Sequence, residues 1–544
     1  YGDHRDLHLS LRRQRQMCIR DRNMGYVNNS DLASEATKFG ISKTGDWGYI
    51  GLSVDNLESI YGIPFHGDEH GDEHGDEHGD EDHDEDEHDD EDHDEHGEER
   101  IFSTTDSESL TLKGSYNVNG SLVNKVDYTF RSSDYSLTEA HAEEGHHEDH
   151  GDEDHDEDHG DEDEHEGHAP TTFLNNSTEY GAIFDMSSDE ISQKVSFNFV
   201  DEDTSIFGEE AFMNPANNRE LTLGYFVSKD YEPFHVDFGV RLDQIDRTGS
   251  VSHEDGDLDR YSIDDNTTSF AVNIGRDLTD NLDVTLGFAS VERLPSVIEL
   301  FMNGPHMATG RFEVGDPNLK SETSNNLDIT FNYENGDYYA YASFFINDVD
   351  NYITLMDEDE DHGDDHHDDD HGDEDHGDED DHGDDHDGHG NLIHANYVQE
   401  DAEFDGYEIE IGRTIELGSG KLTLSYGRDV INAQFADGHN VPRINPARNI
   451  YSLSYKQDNL LFKLNLKDVE KQNDFGEGES ATDGYQMLDT RVTKTIDLSG
   501  SSVLKLSLFG NNLLDEVARN HSSFVKNEVP LPGRNYGVKF NLTF

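Results

Sequence analysis

From about residue 34 onward, apolar and polar side chains alternate along stretches of roughly ten residues, the period of a β-strand with two different faces. The last stretch shows it best. Tyr536, Val538, Phe540, Leu542 and Phe544 fall on one face, and Gly537, Lys539, Asn541 and Thr543 on the other. Alternation and turn residues together predict strands over 34–43, 47–57, 107–116, 121–133, 178–186, 192–200, 219–228, 234–246, 266–277, 281–292, 323–334 and 338–349. Further strands are predicted over 403–414, 421–431, 447–456, 460–468, 484–496, 502–511 and 534–544.

Short links such as Asn117 to Gly120, Lys229 to Pro233, Leu278 to Asp280 and Asn335 to Asp337 alternate with long ones. No stretch approaches the roughly 18 apolar residues of a membrane helix, whereas strands with one apolar face suit a barrel in a bilayer. The expected fold is therefore all-β, an antiparallel transmembrane β-barrel of outer-membrane type, with short turns toward the periplasm and long loops outside. Parity sharpens this. Loops on one side of such a barrel are separated by an even number of strands, which puts the long links after the second, fourth and twelfth predicted strands on the same side.

Those three links have a composition of their own. Residues 66–99, 141–168 and 357–390 hold 24 of the 32 histidines, with 56 acids and no Lys or Arg. Frequent glycine, mutually repelling carboxylates and a lack of apolar residues predict disordered, solvated loops. Imidazole suits zinc, copper, nickel and iron, and carboxylates add hard oxygen ligands and negative potential. That field favours protonated imidazole, so protons compete with metal as pH falls. The candidate ligands are His66, His70, His74, His78, His83, His88, His93 and His96 in the first run. In the second they are His146, His147, His150, His155 and His159, and in the third His362, His366, His367, His371, His376 and His382. A run that only kept the surface wet would need no histidine.

Pairs such as His66 and His70 also fit H-x-x-E-H, but that zinc-protease pattern requires a helix, which the glycine after each first histidine opposes. No catalytic residue or enzyme activity is expected. Without the runs, 68 acids still face 38 basic residues, which excludes nucleic acid as a partner. The single cysteine, Cys18, allows no internal disulfide. It lies in residues 1–22, a basic, non-periodic stretch that resembles translated adapter or vector sequence and is expected to be a non-native artefact.

The stretch Glu292-Arg293-Leu294-Pro295-Ser296, followed by Glu299-Leu300, Gly304-Pro305-His306, Ala308-Thr309, Phe312 to Lys320 and Glu322 to Asn326, resembles the signature of TonB-dependent outer-membrane receptors. Tyr61 to Pro64, Phe404 to Glu408, Pro442 to Arg448, Asn511 to Asp515, His521 to Phe524 and Gly533-Arg534 extend the likeness, which is greatest to the zinc-uptake group. The terminal aromatic resembles the signal read by the barrel assembly machinery. The resemblance implies a receptor in outer-membrane lipid, driven by the TonB-ExbB-ExbD energy-coupling complex. Such receptors also carry an N-terminal plug and about 22 strands. The nineteen strands of residues 23–544 are expected to be a partial barrel with an open edge.

The implied mechanism is capture of a divalent ion, zinc foremost, by the external loops, followed by transfer to fixed ligands and import past the plug. No resident cofactor is expected. His306, with Glu299 and Glu313 close in sequence, is the leading ordered metal ligand, followed by His439 and His521. The competing expectation is a receptor for an iron chelate, siderophore or haem, in which the acidic loops only buffer ions. A non-transporting surface sink fits the receptor signature less well, and calcium would leave the histidines idle.

Overall fold

The computed structural model describes residues 29–64, 100–142, 170–358 and 392–544, apart from 119, 121, 209–210, 254–255, 499 and 501. Residues 1–22 and nearly all of the three His-rich runs, with every candidate ligand in them, lie outside the described residues.

The first ten strands are β1 (Leu32–Gly45), β2 (Gly48–Gly62), β3 (Arg100–Asn117), β4 (Lys125–Ala142), β5 (Thr171–Asp185), β6 (Ser192–Phe207), β7 (Ala216–Tyr231), β8 (Phe234–Ser252), β9 (Leu258–Thr279) and β10 (Leu282–Arg293). A rim insertion follows, made of the helix α1 (Val297–Phe301) and the four-residue strands β11 (Asn303–His306) and β12 (Arg311–Val314). The meander resumes with β13 (Glu322–Asn335), β14 (Tyr338–Asp357), β15 (Ile393–Leu417), β16 (Gly420–Phe435), β17 (Arg448–Gln457), β18 (Leu460–Val469), β19 (Tyr485–Asp497), β20 (Val503–Asn511) and β21 (Asn535–Thr543). All nineteen predicted strands are present in order. Each is antiparallel to its neighbours, and β10 pairs directly with β13 across the insertion.

Side-chain alternation separates the two faces. On β8, Phe234, Val236, Phe238, Val240 and Leu242 point outward, while Arg241, Asp243 and Arg247 point into the barrel, where Asp243 accepts hydrogen bonds from Thr222 and Arg241 at 2.6 and 2.7 Å. The outward apolar run covers eight steps, or about 26 Å of strand at roughly 3.3 Å per residue. This fits the apolar band of about 25 Å that an outer-membrane barrel presents to lipid.

Above Leu242 the outward positions become Gln244, Asp246 and Thr248. The same switch occurs from Phe270 to Thr268 and Asn266 on β9, from Ile346 to Asp348 on β14, and from Tyr407 to Asp405 on β15. The strands nevertheless continue, reaching 25 residues in β15. The expected length of about ten residues was too short for a physical reason. Above the bilayer both faces meet water, so the apolar alternation fades while backbone pairing goes on.

The links at one end span two to seven residues, and those at the other run from five residues, between β8 and β9, to more than thirty. The His-rich runs leave from β2 and β3, from β4 and β5, and from β14 and β15, all at the long-loop end as parity required. Among the described residues β1 pairs only with β2 and β21 only with β20, so the sheet keeps two open edges.

Among the described residues the largest buried apolar cluster lies at the long-loop rim, where Leu300, Phe301 and Met302 pack with Ile206, Phe212, Met213 and Ala216. Helix α1 is short but well capped. The Ser296 side chain accepts from the Glu299 backbone N–H, and the Glu299 carboxylate accepts from that of Ser296, a complete capping box. Phe301 is fully buried against Gly249, where a Cβ would come within 2.3 Å of the ring.

Replacing Phe238 with Lys should cost about 2–4 kcal/mol, against about 0–1 kcal/mol for Gln244→Lys two outward positions above Leu242's neighbour Val240. Urea unfolding from lipid vesicles measures the difference, and equal costs would contradict the assigned apolar band.

Candidate functional site

The rim is built by long loops that fold onto one another. Residues 294–321 form the centre. After α1 the chain turns through the β11–β12 hairpin, and β12 then runs parallel to the start of β15, with Arg311 opposite Ile393 and Val314 opposite Asn396. A sheet-like patch is thereby added where the third His-rich run returns to the barrel. The other stem of that run is fixed too. The Arg311 guanidinium donates to both oxygens of Asp357, the last residue of β14, at 2.7 Å each, and both side chains are largely buried.

Two further loops close over this pair. Phe524 stacks between guanidinium groups, with Arg311 at 4.5 Å and Arg443 at 4.0 Å from the ring centroid. Arg443 also donates to the Leu355 carbonyl at 2.5 Å, and its backbone N–H donates to Glu479 at 3.0 Å. Burial lowers the Arg443 pKa, partly offset by Glu479. The rim is thus held by charged groups that have left water with partners in place, a geometry in which removing one partner is costly.

His306, the leading ordered candidate, sits at the tip of the β11–β12 hairpin. Its Nδ1 lies 2.9 Å from the buried Glu313 carboxylate, which also accepts the Thr309 hydroxyl at 2.8 Å. The imidazole packs on Phe212 with ring centroids 4.8 Å apart, and about 29% of the side chain stays exposed. A carboxylate on one ring nitrogen that orients the other is the usual support of a metal-binding histidine. Glu299 does not join this pair. It caps α1 and binds Arg293 at 2.9 Å, because the helix turns it toward β10. Among the described residues no group of three or more His, Cys, Asp or Glu side chains is placed to hold a metal.

The other two histidines fare differently. His439 is about 70% exposed, with Asp437 at 3.4 Å as its only recorded ionic neighbour among the described residues. His521 is buried, and both ring nitrogens face protein. Nδ1 lies 2.8 Å from the Thr482 hydroxyl and 3.4 Å from Lys526 Nζ, and Nε2 lies 3.6 Å from Glu479. An ammonium only donates, so Nδ1 is the acceptor and the ring proton on Nε2 points toward Glu479. His521 is a tie between two loops, not an accessible ligand.

Burial pushes the Glu479 carboxyl upward, but His521, the backbone N–H groups of Arg443 and Gly476, and the Lys526 charge together hold it below the ordinary glutamate value of 4.5. Burial likewise lowers Lys526, with Glu479 opposing. Reasoning from sequence missed Arg311, Asp357, Arg443, Glu479, Phe524 and Lys526 as a unit. Arg443 and Phe524 lie in the motifs that carry the family resemblance, yet nothing local marks which partners they meet.

With this geometry in hand, the chain can be assigned: it belongs to the TonB-dependent receptor β-barrel family. The family model described as TonB dependent receptor-like, beta-barrel, matches residues 39–513. It is thus an outer-membrane, multi-strand barrel of a receptor and transporter family. It is 34% identical over 157 residues to a heme/hemopexin utilization protein C of Haemophilus influenzae, and 29% identical over 208 residues to that of strain 86-028NP. These stretches are 26% and 34% of this chain, and span only 21% and 27% of those relatives.

Among solved structures, the copper transporter OprC superposes with a TM-score of 0.60 at 14% identity, covering 95% of this chain and 81% of that one. The FrpB iron transporter of Neisseria meningitidis gives 0.60 at 14% identity over 95% and 72%. The hemophore receptor HasR of Serratia marcescens gives 0.58 at 12% over 94% and 71%. At such identities the likeness concerns the fold alone.

The depressed Glu479 pKa makes a signed prediction. Its contribution to loop stability is complete above the ordinary glutamate value and is lost as pH falls through the lower folded value. Resistance of loops 470–484 and 512–534 to proteolysis should therefore hold at neutral pH and fail only once pH has fallen below the ordinary glutamate value of 4.5. Glu479→Gln should weaken the rim by about 3 kcal/mol at neutral pH, since it leaves Lys526 buried beside a neutral group. Unchanged cleavage in that variant would show that the cluster does not tie the loops.

Proposed function

We propose that this chain is the barrel of a TonB-dependent receptor that captures divalent metal ions, zinc foremost, for import into the periplasm. The observation that carries this reading is the common origin of the three His/Asp/Glu runs at one rim. Each leaves the barrel at the end where His306, oriented by Glu313, has an Nε2 without a hydrogen-bond partner among the described residues. Twenty-four histidines tethered at one opening raise the local ligand concentration there. Weak, numerous sites collect the ion, and fewer ordered ligands receive it. The mixture of imidazole and carboxylate without thiolate suits zinc, while copper(II) and nickel would compete for the same groups. Passage would require a plug and the TonB-ExbB-ExbD complex, and insertion would use the barrel assembly machinery.

A second reading is a receptor for haem or another iron chelate. It is favoured by the names of the curated relatives, heme/hemopexin utilization proteins, and by the aromatic surroundings of the rim histidines, Phe212 beside His306 and Phe312 stacked on His394 at 5.2 Å. In that reading the acidic runs buffer ions near the mouth.

Calorimetric titration of the full chain in detergent separates the two. Zinc should bind at several sites near neutral pH and lose most of its affinity about two pH units lower, where imidazole is protonated. A variant with the run histidines changed to Asn should lose most of this binding, and calcium should bind more weakly than zinc. Zinc binding no tighter than calcium, together with haemin binding that is abolished by His306→Ala, would favour the second reading.

A further inference from the structure

The outward face carries a charge asymmetry that metal capture does not use. In the three outward positions nearest the short turns, taken over all nineteen spanning strands, five residues are basic and none is Asp or Glu. The five are Lys43, Lys229, Arg276, Arg413 and Lys494, which register places opposite Ile50, Val236, Phe234, Tyr338 and Leu460 on the apolar face. This occurs in a chain with 124 acids against 38 basic residues, so the exclusion of carboxylates there is a local property. At the other boundary of the same band the outward positions are rich in acid, among them Asp201, Asp246, Asp348 and Asp405.

Three of the five cations are pinned to aromatic rings at the edge of the band. Lys229 Nζ lies 5.0 Å from the Tyr231 ring centroid, and the Arg276 and Arg413 guanidinium groups lie 5.3 and 4.7 Å from Phe234 and Tyr338. None of the five has a carboxylate partner among the described residues. Higher on the same face, Arg219 and Arg428 are neutralised by Asp201 and Glu470. A cation whose stem lies along an apolar surface and whose head is held at the band edge is positioned at the headgroup level. The acids nearby, among them Asp46, Glu232, Asp280, Asp337 and Asp458, are in the turns beyond the band.

We propose that these five residues form a belt that binds the phosphate groups of anionic glycerophospholipids in the leaflet at the short-turn end. Aromatic rings fix the depth of Lys229, Arg276 and Arg413, and the lipid phosphate supplies the missing counter-charge. The belt does not depend on which ligand the rim takes.

The test uses the full chain in an uncharged detergent, with lipids retained per protein counted by native mass spectrometry after addition of phosphatidylglycerol or phosphatidylcholine. The anionic lipid should be retained about fivefold more, and the triple variant Lys229→Gln, Arg276→Gln, Arg413→Gln should fall to near parity. Arg260→Gln, high on the same face, should keep the preference. The preference should also weaken as salt rises from about 0.05 to about 0.5 M, a readout that needs no variant to fold. Equal retention of the two lipids, a preference indifferent to salt, or displacement by inorganic phosphate at about the same ionic strength would each overturn the proposal.

Discussion

The constraint on which the rest depends is that no backbone N–H or C=O can be left unpaired in hydrocarbon. A continuous antiparallel meander meets it, with each of β2 to β10 and β13 to β20 hydrogen-bonded on both sides by its neighbours in the sheet. That solution also sorts the connections. Successive strands reverse direction, so alternate links gather at one end whatever their sequence, and three highly charged runs separated by two and eight spanning strands emerge from the same rim. The insertion between β10 and β13 adds a small folded unit without breaking the sheet, because β10 still pairs with β13.

At the rim the source of order changes. The membrane strands are organised by an apolar outer face, whereas the loops are held by buried apolar clusters together with desolvated charge. Asp357 on Arg311, Phe524 between two guanidinium groups, and Glu479 among His521, Lys526 and two backbone donors join segments far apart in the chain. Such contacts add specificity more reliably than net stability, because each ion must first give up its water. Their place is informative: the Arg311–Asp357 pair and the β12–β15 pairing together fix both stems of the third His-rich run.

The rim therefore combines two kinds of potential ligand. The runs supply many interchangeable groups, whose value lies in number and tethering. His306 is a single group whose orientation is set by Glu313 and whose ring is braced by Phe212. A receptor for a bare ion and a receptor for an aromatic chelate both have use for such a histidine, so the runs, more than the fixed site, favour the metal reading.

The strands, their order and the side on which the runs emerge were legible in the sequence, because they follow from period-two alternation and parity, which are local or countable. The upper parts of the strands were not, since alternation disappears once both faces meet water. The rim shows the same division. The sequence singled out His306 and its neighbour Glu313, seven residues apart on one hairpin. It could not separate these from Glu299, which α1 turns toward Arg293, nor distinguish His439 in solvent from His521 among Thr482, Glu479 and Lys526. Those outcomes rest on contacts between distant segments. By itself the sequence determined which residues face lipid and where the histidines are concentrated, because hydrophobicity and composition act locally. Only the tertiary structure decided which charged groups meet, because that depends on how long loops fold over one another.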